Sequence, residues 1–410
     1  MDSLFSTTRS RREAKADLSA LRVLEPVLAR CLSKLAVGRI AVEFPSGKRQ
    51  TYGVAQGSPS ALLKIRDLRT VLRMILSGEL GMAEGYMAGE WDTPDLTALF
   101  TLAEQNADAL SNALSAGWIA KWRNRAIHAG RANTRSGSRR NIAAHYDLGN
   151  DFYRLWLDGG MTYSAALFAD NEESLEAAQR RKYLRIAAQL DLRPGDRVLE
   201  IGCGWGGFAE IAAAEFGCEV VGLTLSEAQA RYARARMRRA GLADRVDIRL
   251  QDYRDIDGRF NKVASIEMFE AVGEENWPTY FQTLERCLDR GGRAALQIIT
   301  IANEHFGSYR RNPDFIQRYI FPGGMLPSPA AFEKSVEAAG FRIADSSFFG
   351  RSYAETLRRW SSAFEANWPA IAQRGFDERF HRMWRYYLSY CEVGFESDRV
   401  DVGHFLLDRR

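Results

Sequence analysis

Glu200-Ile201-Gly202-Cys203-Gly204-Trp205-Gly206-Gly207 stands between a strand-like run, Arg197 to Ile201, and a helix-like run, Phe208 to Phe216. Glycines at such a junction let the backbone turn sharply and bring a ligand against the main chain, with a helix N-terminus behind it. Gly202, Gly204 and Gly207 also satisfy the dinucleotide spacing. The next strand-like run, Cys218 to Leu225, ends in Leu223-Thr224-Leu225 and supplies no acid for a ribose hydroxyl, which disfavours a nicotinamide or flavin site. A tight turn without ligand is the plain alternative.

Outward from the loop, strand-like and helix-like segments alternate, the pattern of a parallel sheet with crossover helices. Leu175 to Leu190 reads as an amphipathic helix capped by Ser174 and ended by Arg193-Pro194-Gly195. Glu227 to Ala240 reads as a helix closed by Gly241, and Val246 to Leu250, Lys262 to Met268 and Gly292 to Ile301 as strands. A helix from Ala330 to Ala339 leads into a strand from Phe341 to Phe348. The expected fold class is α/β, a seven-stranded Rossmann-like sheet over residues 142–410, with a smaller N-terminal domain over 1–120. In that first domain Leu21, Leu24, Leu28, Leu32 and Leu35 recur at helical spacing, and Arg39 to Thr51 reads as a hairpin turning at Pro45-Ser46-Gly47. Ile65, Leu68, Leu72, Ile75 and Leu76 form one helical stripe closed by Gly78, read as domain core.

The 410 residues are 46% hydrophobic and 26% charged, which excludes wholesale disorder and fibrous architectures. No run approaches the roughly 20 apolar residues of a spanning helix, and the polar start fits no signal peptide. Five scattered cysteines without ligand spacing argue against a disulfide scaffold or a metal site, so a cytoplasmic setting is expected. Residues 121–141 read as a basic linker: no acid lies between Asp108 and Asp147, whereas Lys121, Arg123, Arg125, Arg131, Arg135, Arg139 and Arg140 do. Such a run is either a solvated linker or a patch facing phosphate, on nucleic acid or on anionic lipid.

Further motifs follow in order. They are His145-Tyr146-Asp147-Leu148-Gly149-Asn150-Asp151-Phe152-Tyr153, Met161-Thr162-Tyr163-Ser164, Gly222-Leu223-Thr224-Leu225-Ser226, Gln251-Asp252-Tyr253-Arg254, Met268-Phe269-Glu270-Ala271-Val272-Gly273 and Tyr319-Ile320-Phe321-Pro322-Gly323-Gly324. With the glycine loop they resemble the cyclopropane-fatty-acyl-phospholipid synthase family from about residue 140 onward. Ala83-Glu84-Gly85-Tyr86-Met87-Ala88-Gly89-Glu90-Trp91 extends the likeness into the first domain.

The resemblance implies S-adenosylmethionine as cofactor, with Tyr146, Tyr163 and Ser164 at its amino-acid end and Gly202, Gly204 and Gly206 beneath it. Glu200, at the end of the first strand, suits that plan. Thr224, Leu225 and Gln229 match the ribose contacts, and Asp252 with Tyr253 the adenine contacts. It implies methyl transfer to the double bond of an unsaturated acyl chain of a membrane phospholipid. In ring-forming members a bound bicarbonate takes the resulting proton, and its holders match Ala165, Glu270, Gln297, Ile299 and Tyr353. Two positions depart, since the family's cysteine is Ala165 and its histidine is Gln297. An anion there loses a side-chain donor and a source of positive charge, so the product is either a ring or a methyl-branched or methylene chain. Glu270, Tyr353 and Gln297 are the expected catalytic residues, with no metal.

The resemblance also implies a protein held peripherally at the inner face of the membrane through the basic linker, without nucleic acid, and a homodimer formed through a lipid-docking first domain. The segment from His305 to Tyr319, with Phe306, Phe315 and Phe321, is expected to cover the substrate pocket. Phe348, Phe349, Tyr353, Trp360, Phe364 and Trp368 either line it or pack as core. His145 carries no catalytic assignment. Small-amine N-methylation and a non-catalytic lipid-binding role are the alternatives.

Overall fold

The computed structural model describes residues 24–111, 148–170 and 172–409. The basic linker, His145 and Tyr146 lie outside them. The chain divides into two compact units, Met1–Asn124 with Gly375–Val393, and Arg125–Arg374 with Gly394–Arg410. The second unit is therefore not the uninterrupted stretch 142–410 expected from sequence. Residues 375–393 pack with the first unit, where the Arg382 guanidinium lies 4.0 Å above the Tyr86 ring and donates to the Trp91 carbonyl at 2.6 Å.

In the first unit a four-stranded sheet runs in the order β2-β1-β3-β4, from strands β1 (Arg39–Glu43), β2 (Arg49–Gly53), β3 (Ser60–Ile65) and β4 (Trp91–Asp92). β1 and β2 pair antiparallel as the expected hairpin. The leucine stripe behaves differently from its reading as core. Ile65 ends β3, the helix Arg69–Met87 starts after it, and Leu72 and Leu76 are 46% and 56% exposed. Gly78 does not close the helix but kinks it, in left-handed backbone (φ 57°), and the buried stripe resumes at Leu80, Ala83, Tyr86 and Met87. Past the kink the second half buries a continuous stripe, while the first half buries Val71 and leaves Leu72 and Leu76 in water.

The second unit carries a seven-stranded sheet in the order β10-β11-β9-β8-β5-β6-β7. Its strands are β5 (Arg197–Ile201), β6 (Glu219–Thr224), β7 (Val246–Leu250), β8 (Phe260–Ile266), β9 (Leu288–Ile301), β10 (Phe341–Phe348) and β11 (Val400–Arg409). β5 to β9 are parallel, and β11 lies antiparallel between β9 and β10. Both faces are covered, so the central strands read as nearly continuous apolar runs. Leu199, Ile201, Val263 and Leu296 join one core with the helix Trp277–Cys287, and Val198, Ala264 and Ala295 join the other with the helices Leu175–Leu190 and Gly207–Phe216. After β5 the chain winds outward to β6 and β7, then returns to lay β8 on the other side of β5. That reversal opens a crevice at the carboxyl ends of β5 and β8, where sheets of this kind bind ligands.

Candidate active site

The glycine loop leaves β5 at the crevice. Gly202, Gly204 and Gly206 all have positive φ (86°, 52° and 83°), which non-glycine residues adopt at a cost of about 1–2 kcal/mol. A Cβ on Gly202 would meet Met268 Cγ at 2.8 Å, whereas one on Gly204 would meet nothing within 4 Å. Space is thus open beside the Gly204 main chain, as a backbone cradle requires. Gly206 and Gly207 serve packing instead, against Ala233 and Tyr183. Glu200 lies behind the loop, 2% exposed, with Oε2 unpaired and its carboxyl pushed up to about 8 by burial.

Residues expected to hold the cofactor line the same end of the sheet. Ser164 Oγ accepts from Lys182 Nζ at 2.6 Å, and Lys182 is fully buried, its ammonium pushed down to about 8 by that burial. Tyr163 is half-buried among the rings of Tyr153, Trp156 and Trp360, at centroid distances of 5.3 to 5.4 Å. At the end of β6 the Thr224 hydroxyl donates to Gln229 Oε1 at 2.8 Å, and half-buried Leu225 precedes Ser226, which caps the next helix. The Asp252 carboxylate is held by Arg254 through Nε at 2.9 Å and Nη2 at 2.7 Å. Tyr253 packs on Tyr280 at 5.5 Å, and burial pushes its hydroxyl up to about 12. A backbone cradle at Gly204, a buried carboxylate and an aromatic wall together fit a cationic amino-acid nucleoside such as S-adenosylmethionine.

At the carboxyl end of β8 the chain places two acids. Glu270 Oε1 accepts from Ile299 N at 2.6 Å, its Oε2 is buried and unpaired, and its carboxyl is pushed up to about 8 by burial and then by the charge of Glu267. Met325 N donates to the Glu270 main-chain carbonyl at 2.8 Å, which ties the turn after Phe321 to this segment, and the Phe321 and Tyr163 ring centroids lie 6.4 Å apart.

Glu267 was missed by the reading of the sequence, yet it joins the other expected residues together. Its Oε1 accepts from Ala165 N at 2.8 Å and Gln297 Nε2 at 2.7 Å, and its Oε2 from the Tyr353 hydroxyl at 2.8 Å. Burial raises its carboxyl, opposed by the Ala165 hydrogen bond and by Lys182. Strand register explains the assembly. Gln297 pairs with Ile266 of β8 on one side and with His404 of β11 on the other, so the Gln297 and His404 side chains share a face. Gln297 Oε1 meets His404 Nε2 at 2.9 Å. His404 is fully buried and held neutral, its imidazole pushed down to about 3 first by burial, so it donates here and leaves the Gln297 amide nitrogen aimed at Glu267. The sequence offers one signal, an acid near the end of the strand-like run Lys262 to Met268; the left-handed backbone there, φ 48° at Glu267, shows only in the fold.

Other expectations divide. Trp360 and Phe364 are fully buried core, Phe315 is 3% exposed, and Phe306 packs against the sheet. Phe348, at 45% exposure, meets the Phe405 ring edge-on at 5.5 Å, while Phe349 packs on His404 at 4.8 Å. Among the described residues no group of three or more His, Cys, Asp or Glu side chains could hold a metal, and no helix is long and apolar enough to cross a membrane.

A family model described as mycolic acid cyclopropane synthetase matches residues 133–405. The protein named tuberculostearic acid methyltransferase in Mycobacterium tuberculosis is 42% identical over 404 residues, 97% of this chain and 94% of that protein. The cyclopropane-fatty-acyl-phospholipid synthase of Escherichia coli K12 is 38% identical over 363 residues, 87% of this chain and 90% of that protein. Among solved structures, a mycolic acid cyclopropane synthase complexed with SAH and CTAB is 31% identical with a TM-score of 0.62, covering 66% of this chain and 98% of that one.

Proposed function

The chain belongs to the mycolic acid cyclopropane synthetase family of S-adenosylmethionine-dependent methyltransferases, and we propose that it methylates the double bond of an unsaturated acyl chain in a membrane phospholipid. An alkene is a weak nucleophile, so the work lies in aligning it with the sulfonium methyl in a dry site and in tolerating the carbocation that follows. The observation that supports this reading is the pair of acids at the end of β8, Glu267 and Glu270, with the Tyr353 ring on Glu267 and the turn after Phe321 bonded to the Glu270 carbonyl. Carboxylates and π faces are what a transient carbocation needs.

The product in this reading is an open chain bearing a new double bond. Gln297 is neutral and Ala165 has no side-chain donor, so these two positions offer a free anion no positive charge, and the nearby Lys182 ammonium acts on Glu267 instead. The relative that covers 97% of the chain is also named a methyltransferase and not a ring synthase. Phospholipid as carrier, an anionic membrane surface as docking site and a homodimer belong to the same reading. The exposed Leu72 and Leu76 supply apolar surface for docking, and the basic run at 121–141 supplies charge, each Lys or Arg adding about 1 kcal/mol near anionic lipid.

The test is incubation with deuterated-methyl donor and phosphatidylglycerol vesicles carrying monounsaturated chains, followed by NMR of the released acids. Alkene proton or carbon signals at a labelled branch point are expected. A cyclopropane methylene would refute the open-chain part, and label in a soluble amine but not in lipid would refute the acceptor.

A further inference from the structure

We propose that Glu267 is a built-in proton acceptor which occupies the place of a free carboxylate-like anion, so that this enzyme works without bicarbonate. The inference rests on the acyl-chain methylation proposed above, and on geometry that stands apart from it.

Three donors from three separate segments converge on one point: Ala165 N from the loop before the helix Leu175–Leu190, Gln297 Nε2 from β9, and the Tyr353 hydroxyl from the helix Gly350–Ala366. A backbone amide, a side-chain amide and a phenol at 2.7 to 2.8 Å make a neutral anion cradle. The anion in it is the chain's own side chain. The position is specified at some cost, because Glu267 sits in left-handed backbone, a conformation that a non-glycine residue keeps only when its surroundings hold it there. Gln297 is in turn oriented by His404, so the cradle is braced from behind. Three of the four acceptor positions of a carboxylate are used, and one is left for an incoming proton.

The step balances without an added reagent. The π pair of the alkene forms a bond to the donated methyl carbon as the C–S bond breaks and its pair stays on sulfur, leaving the neighbouring chain carbon cationic. A C–H bond of the cationic product then breaks. Its proton goes to the Glu267 carboxylate and its electron pair becomes the new C=C bond. Return of the proton to water completes the cycle. Glu270, whose Oε2 has no partner, faces the positive charge in its ionised form, which gains population as pH approaches 8.

Two readouts test this on the full-length enzyme. In binding, wild type should show no uptake of 13C-bicarbonate by NMR titration, whereas Glu267→Ala, with the cradle emptied, should take it up. In turnover, wild-type rate should be unchanged in buffer stripped of carbon dioxide, and Glu267→Ala should lose about 100-fold in kcat with the Kd for S-adenosylmethionine within twofold of wild type. Formate or bicarbonate should restore part of that loss in a saturable way. Glu267→Gln, isosteric and able to keep the fold, should be slow and not rescued.

Stoichiometric bicarbonate binding by wild type, or a wild-type rate that falls when bicarbonate is removed, overturns the proposal, as does a Glu267→Gln variant that turns over at wild-type rate. If wild type methylates no acyl chain, the proposed reaction fails while the binding titration still decides whether Glu267 fills the cradle.

Discussion

The two sides of the crevice are built in opposite ways. On the β5–β6 side the groups that fit the cofactor sit in a few short runs: Gly202 to Gly207 in one turn, Thr224 to Gln229 in another, Asp252 and Tyr253 in a third. Each run closes on itself through local bonds, such as Thr224 to Gln229 and Asp252 to Arg254. On the β8–β9 side no run is sufficient. Ala165, Glu267, Gln297, Tyr353 and His404 meet only after five segments have folded. Local construction suits a part that must present bare backbone to a nucleoside of fixed shape. Distributed construction lets single substitutions change the chemistry at the methyl without touching the loop that carries it.

The sharpest way to break that comparison is Glu270→Gln. In the proposed reaction ionised Glu270 faces the cation, and because burial pushes its carboxyl up to about 8, kcat at pH 8 should fall by about 100-fold or more, the range of a lost electrostatic stabiliser of a developing charge. Calorimetric affinity for S-adenosylmethionine should change less than twofold. A large loss of cofactor affinity would show that the two sides are not separable. The reciprocal change is Gly202→Val, which forces a branched side chain into positive φ and against Met268. It should cost about 2–3 kcal/mol of stability, lower the melting temperature and weaken cofactor binding strongly.

How far each side could be read from sequence follows the same division. The strands Arg197–Ile201, Val246–Leu250 and Phe341–Phe348 and the helix Leu175–Leu190 fall where periodicity and caps put them, because each is specified by its own residues. β8 ends at Ile266 and not at Met268, since Glu267 turns left-handed, and β9 begins at Leu288, well before the glycines that seemed to delimit it. β11 was not seen at all. Gly403 and the acids at Asp401 and Asp408 disguise it, and its pairing with β9 is a matter of register across more than a hundred residues. His404 therefore stands in no sequence pattern that marks it, and Glu267 reads as a spacer before Met268-Phe269-Glu270.

His404→Phe tests whether register matters to the chemistry. It removes the donor to Gln297 Oε1, and leaving a buried amide oxygen unpaired costs about 1–3 kcal/mol. The expected result is a kcat loss of about tenfold at unchanged KM, the size of a positioning effect of about 1.4 kcal/mol. His404→Gln, which can still donate, should recover most of it. Recovery of the melting temperature without recovery of kcat would reduce His404 to a packing residue.

A smaller effect concerns pH. Glu200 and Glu270 have folded-state values near 8 through burial, above the ordinary carboxyl value of 4.5. The folded protein therefore binds more protons than the unfolded chain between those limits. Stability from these groups is present below about pH 4.5 and is lost as pH climbs toward 8. Chemical denaturation of the free enzyme at pH 6, 7 and 8 should show that decline. Glu270→Gln should make it shallower, and an unchanged slope in the variant would place the proton elsewhere.

The smallest expected effect returns to the first unit. Leu72 reads as core in the sequence and stands half in water in the fold, on the near side of the Gly78 kink. Leu72→Ser should change unfolding free energy by less than about 0.5 kcal/mol, as for other exposed sites. Leu80→Ser, on the far side of the kink at 6% exposure, should cost several times more, about 2–4 kcal/mol. If Leu72 is retained for contact with lipid, the serine variant should keep its turnover on detergent-dispersed substrate and bind anionic vesicles more weakly. Equal destabilisation by the two serines would mean that the kink does not separate a buried stripe from an exposed one.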